Sequence, residues 1–422
     1  MTSIRTVNNT LEAGPSRSGL GPKELLVMIS SLMALTALGI DLLLPAFDEI
    51  RGAFNLADDS NQVSQVITVF FLGLAVAQIV WGPLTDRFGR KKILYCSIAI
   101  YSLGAVMSAL APSFLWLLMG RFVWGVGAAG TRVVAIAIVR DSFEGSKMAQ
   151  AMSQIMAVFV LVPVFAPSLG AILIGIFNWQ SLFWFCVIWS LVIMLWTSRL
   201  NETLRPEHRR ELEVSSIVAG FRVVVSNRMT LGYTIATLFL QAIFTAYLGS
   251  SERIISDIFD RGDQFPIIFG AVAILFGVGA IINGQVVGHF GMYRLIRVML
   301  MAAMAMGLLL LAIAMLSDGR PSFWIYMPLL GVMLAMFMFL MPNLNTAALQ
   351  PMGAVAGTAT ALTGAIRTAG GALLGAIVDA QLNDSVLPFS LAIVIFMALA
   401  IAASRWAERD QNLHEPSLRP PK

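Results

Sequence analysis

The sequence predicts an all-α membrane protein of twelve transmembrane helices in two pseudo-symmetric six-helix bundles, and three observations carry that prediction. Mean hydropathy is +0.80 with 58% apolar and only 12% charged residues, a balance no water-soluble globule sustains. Apolar stretches of about 20 residues, the length that crosses a bilayer core, recur from Leu25 to Ser404. One segment also returns: Gly82, Phe88, Gly89 and Lys92 are echoed 202 positions later by Gly284, Phe290, Gly291 and Arg294. In lipid every backbone polar group must be satisfied, which leaves helices or closed barrels, and continuous apolar runs exclude the alternation of a barrel strand.

Residues 1–24 are polar, spaced by Gly and Pro, and carry Arg5, Arg17 and Lys23; they read as a tail without a cleavable signal. Spans are expected at 25–45, 62–83, 93–111, 115–139, 148–173 and 180–198, forming an N-terminal bundle over 25–198. Residues 199–228 form a linker whose mixed-charge run, Glu202 to Glu213, suits an amphipathic helix on the membrane face. Further spans at 229–250, 266–288, 294–316, 322–345, 354–379 and 386–404 form the C-terminal bundle over 229–404, and 405–422 is a second tail. Lys and Arg collect in the segments that share a side with the N-terminus, including 82–92 and the linker. The loops on the other side hold Asp48, Glu49, Asp58, Asp59, Asp257, Asp260 and Asp263. By the positive-inside rule both termini are then cytoplasmic.

The net charge of +4 is accounted for by this topology, and no nucleic-acid patch is seen. Cys96 and Cys186 fall within spans and read as core thiols. The histidines at 208, 289 and 414 are scattered, so neither a metal centre nor a membrane enzyme is expected, and no GxxxxGK[ST] loop suggests ATP drive. A parallel six-span repeat is instead the pattern of a transporter that rocks one bundle against the other.

The segment Gly82-Pro-Leu-Thr-Asp86-Arg87-Phe-Gly89-Arg90-Lys91 resembles motif A of the major facilitator superfamily, G-x-x-x-D-R-x-G-R-R/K, between spans 2 and 3. Arg121-Phe-Val-Trp-Gly125 is similar to motif B, with Trp124 where Gln is usual. Val162-Pro163-Val-Phe-Ala166-Pro167-Ser-Leu-Gly170 resembles the antiporter motif C in its paired-proline form, typical of the bicyclomycin-resistance (Bcr/CflA) branch of drug:proton antiporters. Ile40-Asp41-Leu-Leu-Leu-Pro45 and Val139-Arg140-Asp141 are similar to that branch too. The resemblance implies a monomeric multidrug exporter of the bacterial inner membrane, using protons as coupling ion and no other cofactor, with lipid and small molecules as its partners.

On that reading the charges of motif A form a cytoplasmic gate. Asp86 would meet the positive N-terminus of span 11 near Gly353, while Arg87, Arg90, Lys91 and Lys92 would pair with Asp141 and Glu144 or with anionic lipid. A positive-inside anchor is the simpler alternative. Asp41 is the one carboxylate well inside a span of the first half, and Arg121 in span 4 comes to similar depth, so the two can pair, as a switched proton carrier or as a fixed ion pair. Pro163, Pro167 and Gly170 are expected to bend span 5. Arg132 lies eleven residues after Arg121, about three turns, so both are expected on one face, with Arg367 across the bundle. A cavity with three arginines should repel cations and suit neutral, zwitterionic or anionic solutes; Gln241 and Asn345 are further polar candidates there. Import of a small anionic nutrient is the competing function.

Overall fold

The computed structural model describes residues 18–57, 61–208, 214–382 and 384–409; the expectations for most of both tails, for Asp58 and Asp59, for His414 and for linker residues 209–213 lie outside them. Among the described residues every regular element is helical. Twelve helices are long and apolar enough to cross a membrane, numbered here as spans 1–12. They are Pro22–Ala53, Asn61–Phe88, Arg90–Ala109, Phe114–Ser142, Gln150–Ile176, Gln180–Thr197, Arg228–Ile258, Gly262–Phe290, Met292–Leu316, Phe323–Gly353, Ala356–Asp379 and Leu387–Glu408. A further helix, Val214–Ser226, lies in the linker.

Two boundaries differ from the sequence expectation in a way that bears on function. Span 2 does not end at residue 83: its helix continues to Phe88 with Pro83 inside it, and span 3 begins at Arg90. The expected loop is therefore one residue, Gly89, whose φ of 97° is open to glycine and costly for a residue with a Cβ. Gly291 repeats the device in the second half with φ 77°. Span 1, by contrast, is broken. Its helix stops at Asp41, a short 3₁₀ turn Leu44–Ala46 follows, and a second helix resumes at Phe47. Pro45 explains the break, because it donates no N–H and restricts the residue before it. Asp41 consequently sits at the negative end of the helix dipole, an unfavourable place for a permanent negative charge.

Span 5 runs unbroken from Gly145 to Ile176 with Pro163 and Pro167 inside it. Each proline withdraws one N–H from the ladder, yet the helix carries through both. Gly170 faces the Leu42 carbonyl and the Pro45 ring, so the antiporter-like segment is seated on the break in span 1. Small residues also set the packing of the first bundle. Gly73 of span 2 faces the Phe122 carbonyl of span 4, and Gly125 of span 4 faces the Phe70 carbonyl of span 2, so the two backbones touch with no side chain between them.

Gly125→Val would drive a branched side chain into the span 2 backbone, and overpacking of this kind costs about 1–3 kcal/mol. The expected outcome is a lower melting temperature for the detergent-purified protein by scanning fluorimetry. Gly284→Ala, which meets nothing within 4 Å, should leave it unchanged.

Candidate functional site

The two halves are joined by polar contacts at one face of the molecule, opposite the face that bears motif A and the linker. Asp379, at the end of span 11, is 3% exposed and anchors the closure. Its Oδ1 accepts from Ser250 Oγ of span 7 at 2.5 Å, and its Oδ2 accepts from Ser64 Oγ at the start of span 2. Asn61 Nδ2 donates to the backbone carbonyls of Asp379 (2.6 Å) and Leu382 (3.1 Å), at the end of span 11. Arg253 Nη1 of span 7 donates to Asn61 Oδ1 at 2.8 Å. A second bridge runs from Arg51 to Glu252, with 3.8 Å between nitrogen and oxygen, both side chains buried.

At the motif A face the contacts run elsewhere. Arg90 Nη1 donates to Asp86 at 2.7 Å and its Nε to Asp141 at 2.8 Å, so one guanidinium ties spans 2, 3 and 4. Asp141 also accepts from Thr203 of the linker at 3.1 Å. Glu202 accepts from the backbone N–H groups of Arg90 (2.8 Å) and Lys91 (3.2 Å), where the exposed amides and positive dipole of span 3 receive a carboxylate. Lys91 donates to the Ser198 carbonyl and Arg87 lies over the Phe88 ring. The expected contact of Asp86 with span 11 is not made. Its partner is Arg90, and positions 82, 353 and 357 face open space. The reason is the closure at the other face: with the halves drawn together there, the motif A ends are apart. Arg140 is exposed beside this cluster.

Asp41 and Arg121 do not pair. Arg121 is fully buried inside the first bundle, where Nε donates to the Val66 carbonyl at 2.9 Å and the guanidinium lies 4.6 Å from the Phe70 ring centre and 4.8 Å from that of Trp124. The same two rings pack against Gly39 of span 1, so they stand between the arginine and the end of the span 1 helix. Trp124, in the place of the usual Gln, supplies one of those faces; a cation over an aromatic ring gains about 0.5–2 kcal/mol. Asp41 is 5% exposed and, among the described residues, has no hydrogen bond or ion pair. The carboxylate lies within electrostatic reach of Tyr247 of span 7, whose hydroxyl is also buried and unbonded.

Arg132 and Arg367 belong to opposite halves, are half-buried, and lie within electrostatic range of each other. Arg121 therefore leaves the expected three-arginine cavity, although it shares a helical stripe with Arg132: near the closed face span 2 covers that stripe, and deeper in the membrane it opens. Gln241 donates to Thr245 and packs against Gly371, one turn beyond Arg367. Asn345 is half-buried and makes no hydrogen bond among the described residues.

Residues 29–376 match the Major Facilitator Superfamily. The chain belongs to that superfamily. It is 29% identical over 360 residues to an uncharacterized MFS-type transporter, YdgK, of Bacillus subtilis, covering 83% of this chain and 86% of the relative. It is 28% identical over 384 residues to a bicyclomycin resistance protein homolog of Haemophilus influenzae, covering 90% and 94%. The fold is similar to the crystal structure of a D-xylose-proton symporter, with TM-score 0.73, 12% identity and coverage of 92% and 97%. The protein is thus a multi-pass membrane transporter and not an enzyme, and its resemblance to the bicyclomycin-resistance branch rests on a relative aligned over nearly its whole length.

Sequence reasoning passed over Asp379, Asn61, Ser64 and Tyr247. Asp379 had a visible signal, an acid closing an apolar span; the others are polar residues of ordinary type whose role depends on what faces them. In a superfamily transporter, removing the Asp379 side chain should loosen the closed face, since the lost hydrogen bonds are worth about 1–3 kcal/mol. A cysteine placed at the buried Val63, in a Cys96→Ser/Cys186→Ser background, should react with an impermeant maleimide about tenfold faster when Asp379→Ala is added.

Proposed function

We propose that the protein is a proton-coupled antiporter of the bacterial inner membrane that exports small neutral, zwitterionic or anionic amphipathic compounds by alternating access. Both chain ends are cytoplasmic in this reading, so the closed face is the outer one and the conformation is open to the cytoplasm. The observation that carries it is Asp41: a buried carboxylate without a bonded partner, at the break of span 1, against the paired-proline segment of span 5. A carboxylate so placed is costly as a fixed charge and has no structural bond to justify it. Alternate exposure to the two sides would load and unload a proton there. Arg121, held apart by Phe70 and Trp124, contributes a fixed positive field and not an ion pair.

The name of the Haemophilus influenzae relative, a resistance protein homolog, supports export. Motif A acts in this reading as the cytoplasmic gate in its released state, with Arg90 holding Asp86 and Asp141 until the bundles rock and Asp86 becomes available to span 11. Proton-driven import of a small anionic nutrient is the second reading, favoured by the Arg132–Arg367 pair alone.

Everted membrane vesicles separate the two. With an acid lumen, an exporter accumulates substrate in the lumen, and Asp41→Asn abolishes that gradient-driven uptake while leaving counterflow of substrate intact. Substrate leaving the lumen with the protons would establish the importer, and full coupling in Asp41→Asn would remove the proton from Asp41.

A further inference from the structure

We infer that Arg132 and Arg367 form one oxyanion site that spans the two bundles, and that the transported compound carries a carboxylate or phosphate group held between them. This rests on the transporter reading above and narrows its substrate class.

Both guanidiniums keep their charge under all physiological conditions, and each presents a planar fork matched to a carboxylate or phosphate. Neither has an acidic partner among the described residues. The acids near the spans are committed elsewhere: Asp379 to Ser64 and Ser250, Glu252 to Arg51, and Asp86 and Asp141 to Arg90. Asp41 faces Tyr247. The Arg367 Nε is buried with no hydrogen-bond partner, so part of its donor fork is desolvated and unused. Two like charges at membrane depth, within electrostatic range of each other and without a counter-ion among the described residues, are held only at a cost.

Both side chains are half-buried in the present conformation, so their exposed parts are open to solvent. Closure of the gap expels water, and an anion between the forks then takes its place. Because one arginine belongs to each bundle, an oxyanion bound to both draws the halves together. It thereby binds the closed arrangement better than the open one, which is what a substrate must do to drive the transition. A cation of the same shape meets repulsion from both sides, and a neutral amide loses the charge-assisted bonds.

The test uses three ligands with one apolar body: 4-phenylbutyrate, 4-phenylbutyramide and 4-phenylbutylamine. Their binding to the full-length protein in detergent is followed by isothermal titration calorimetry at low ionic strength. The carboxylate is expected to bind at least about tenfold more tightly than the amide, with the amine weakest. Arg132→Gln and Arg367→Gln should each erase the preference, Arg132→Lys and Arg367→Lys should keep part of it, and Arg320→Gln, remote from the gap, should preserve it whole. Equal affinities for the three ligands, no binding of the carboxylate at millimolar concentration, or a preference that survives both Gln variants would overturn the site. Should a Gln variant fail to fold, the Lys variant at that position decides, since full preference there with the fork chemistry lost overturns the bidentate arrangement. Carboxylate preference without proton release would keep this site and sink antiport, and proton release without carboxylate preference would do the reverse.

Discussion

A charge inside a bilayer has to find an opposite charge, an aromatic face or water, and the way each ionic side chain meets that demand divides this molecule into working parts. Arg121 uses rings and one carbonyl and becomes a fixed element of the first bundle. Arg51, Glu252, Arg253 and Asp379 use one another and nearby polar groups across the interface between the halves, and so become the closure. Arg132 and Arg367, in opposite halves, have no acidic partner among the described residues. Asp41 is buried and, among the described residues, has no bonded partner at all.

The mechanical parts follow from backbone chemistry. Single glycines at positive φ, Gly89 and Gly291, link spans 2 and 3 and spans 8 and 9 with almost no loop, so each helix pair turns as a unit. Glu202 and Thr203 pin the start of the linker to the first bundle through span 3 and Asp141. Farther along, Gly220 of the linker helix lies against Thr358 of span 11. The linker therefore touches both halves on the face where they are apart, and any rotation of one bundle must be accommodated between Thr203 and Gly220. At the other face the polar contacts between the halves are hydrogen bonds among Asn61, Ser64, Ser250, Arg253 and Asp379 and the Arg51–Glu252 ion pair.

The fold was legible in the sequence to within a few residues at most span ends, because a twenty-residue apolar run has one physical solution in lipid. What was misread was local continuity. Residues 84–88 looked like a loop on charge alone, yet neither they nor the single Pro83 before them ends the helix, and the chain stays helical until Gly89. The arginines were legible as anomalies but not as partners. Arg121 and Arg132 share a stripe, and periodicity is blind to which neighbour covers that stripe at each depth. The Asp41–Arg121 pairing failed for a related reason: equal depth says nothing of the two aromatic rings standing between them. The closure was illegible because Asn61, Ser64 and Ser250 acquire meaning only from Asp379, more than a hundred positions away for each.

The proposed substrate charge changes the energetics of the proposed exchange. A proton moving inward and a monoanion moving outward displace charge in the same electrical sense, so exchange of one proton for one anion would move two elementary charges across the membrane per cycle. The membrane potential contributes about 2.3 kcal/mol per charge for every 100 mV, so about twice that acts on one turnover in addition to any pH difference. Exchange of a proton for a monovalent cation would be electrically silent and would depend on the pH gradient alone. An oxyanion site at the gap and a neutralisable carboxylate at the break of span 1 therefore make a pair suited to export where the pH difference is small and the potential is large. The two arginines supply the charge selection this requires, since a cation that slipped through in place of the anion would forfeit the electrical part of the driving force.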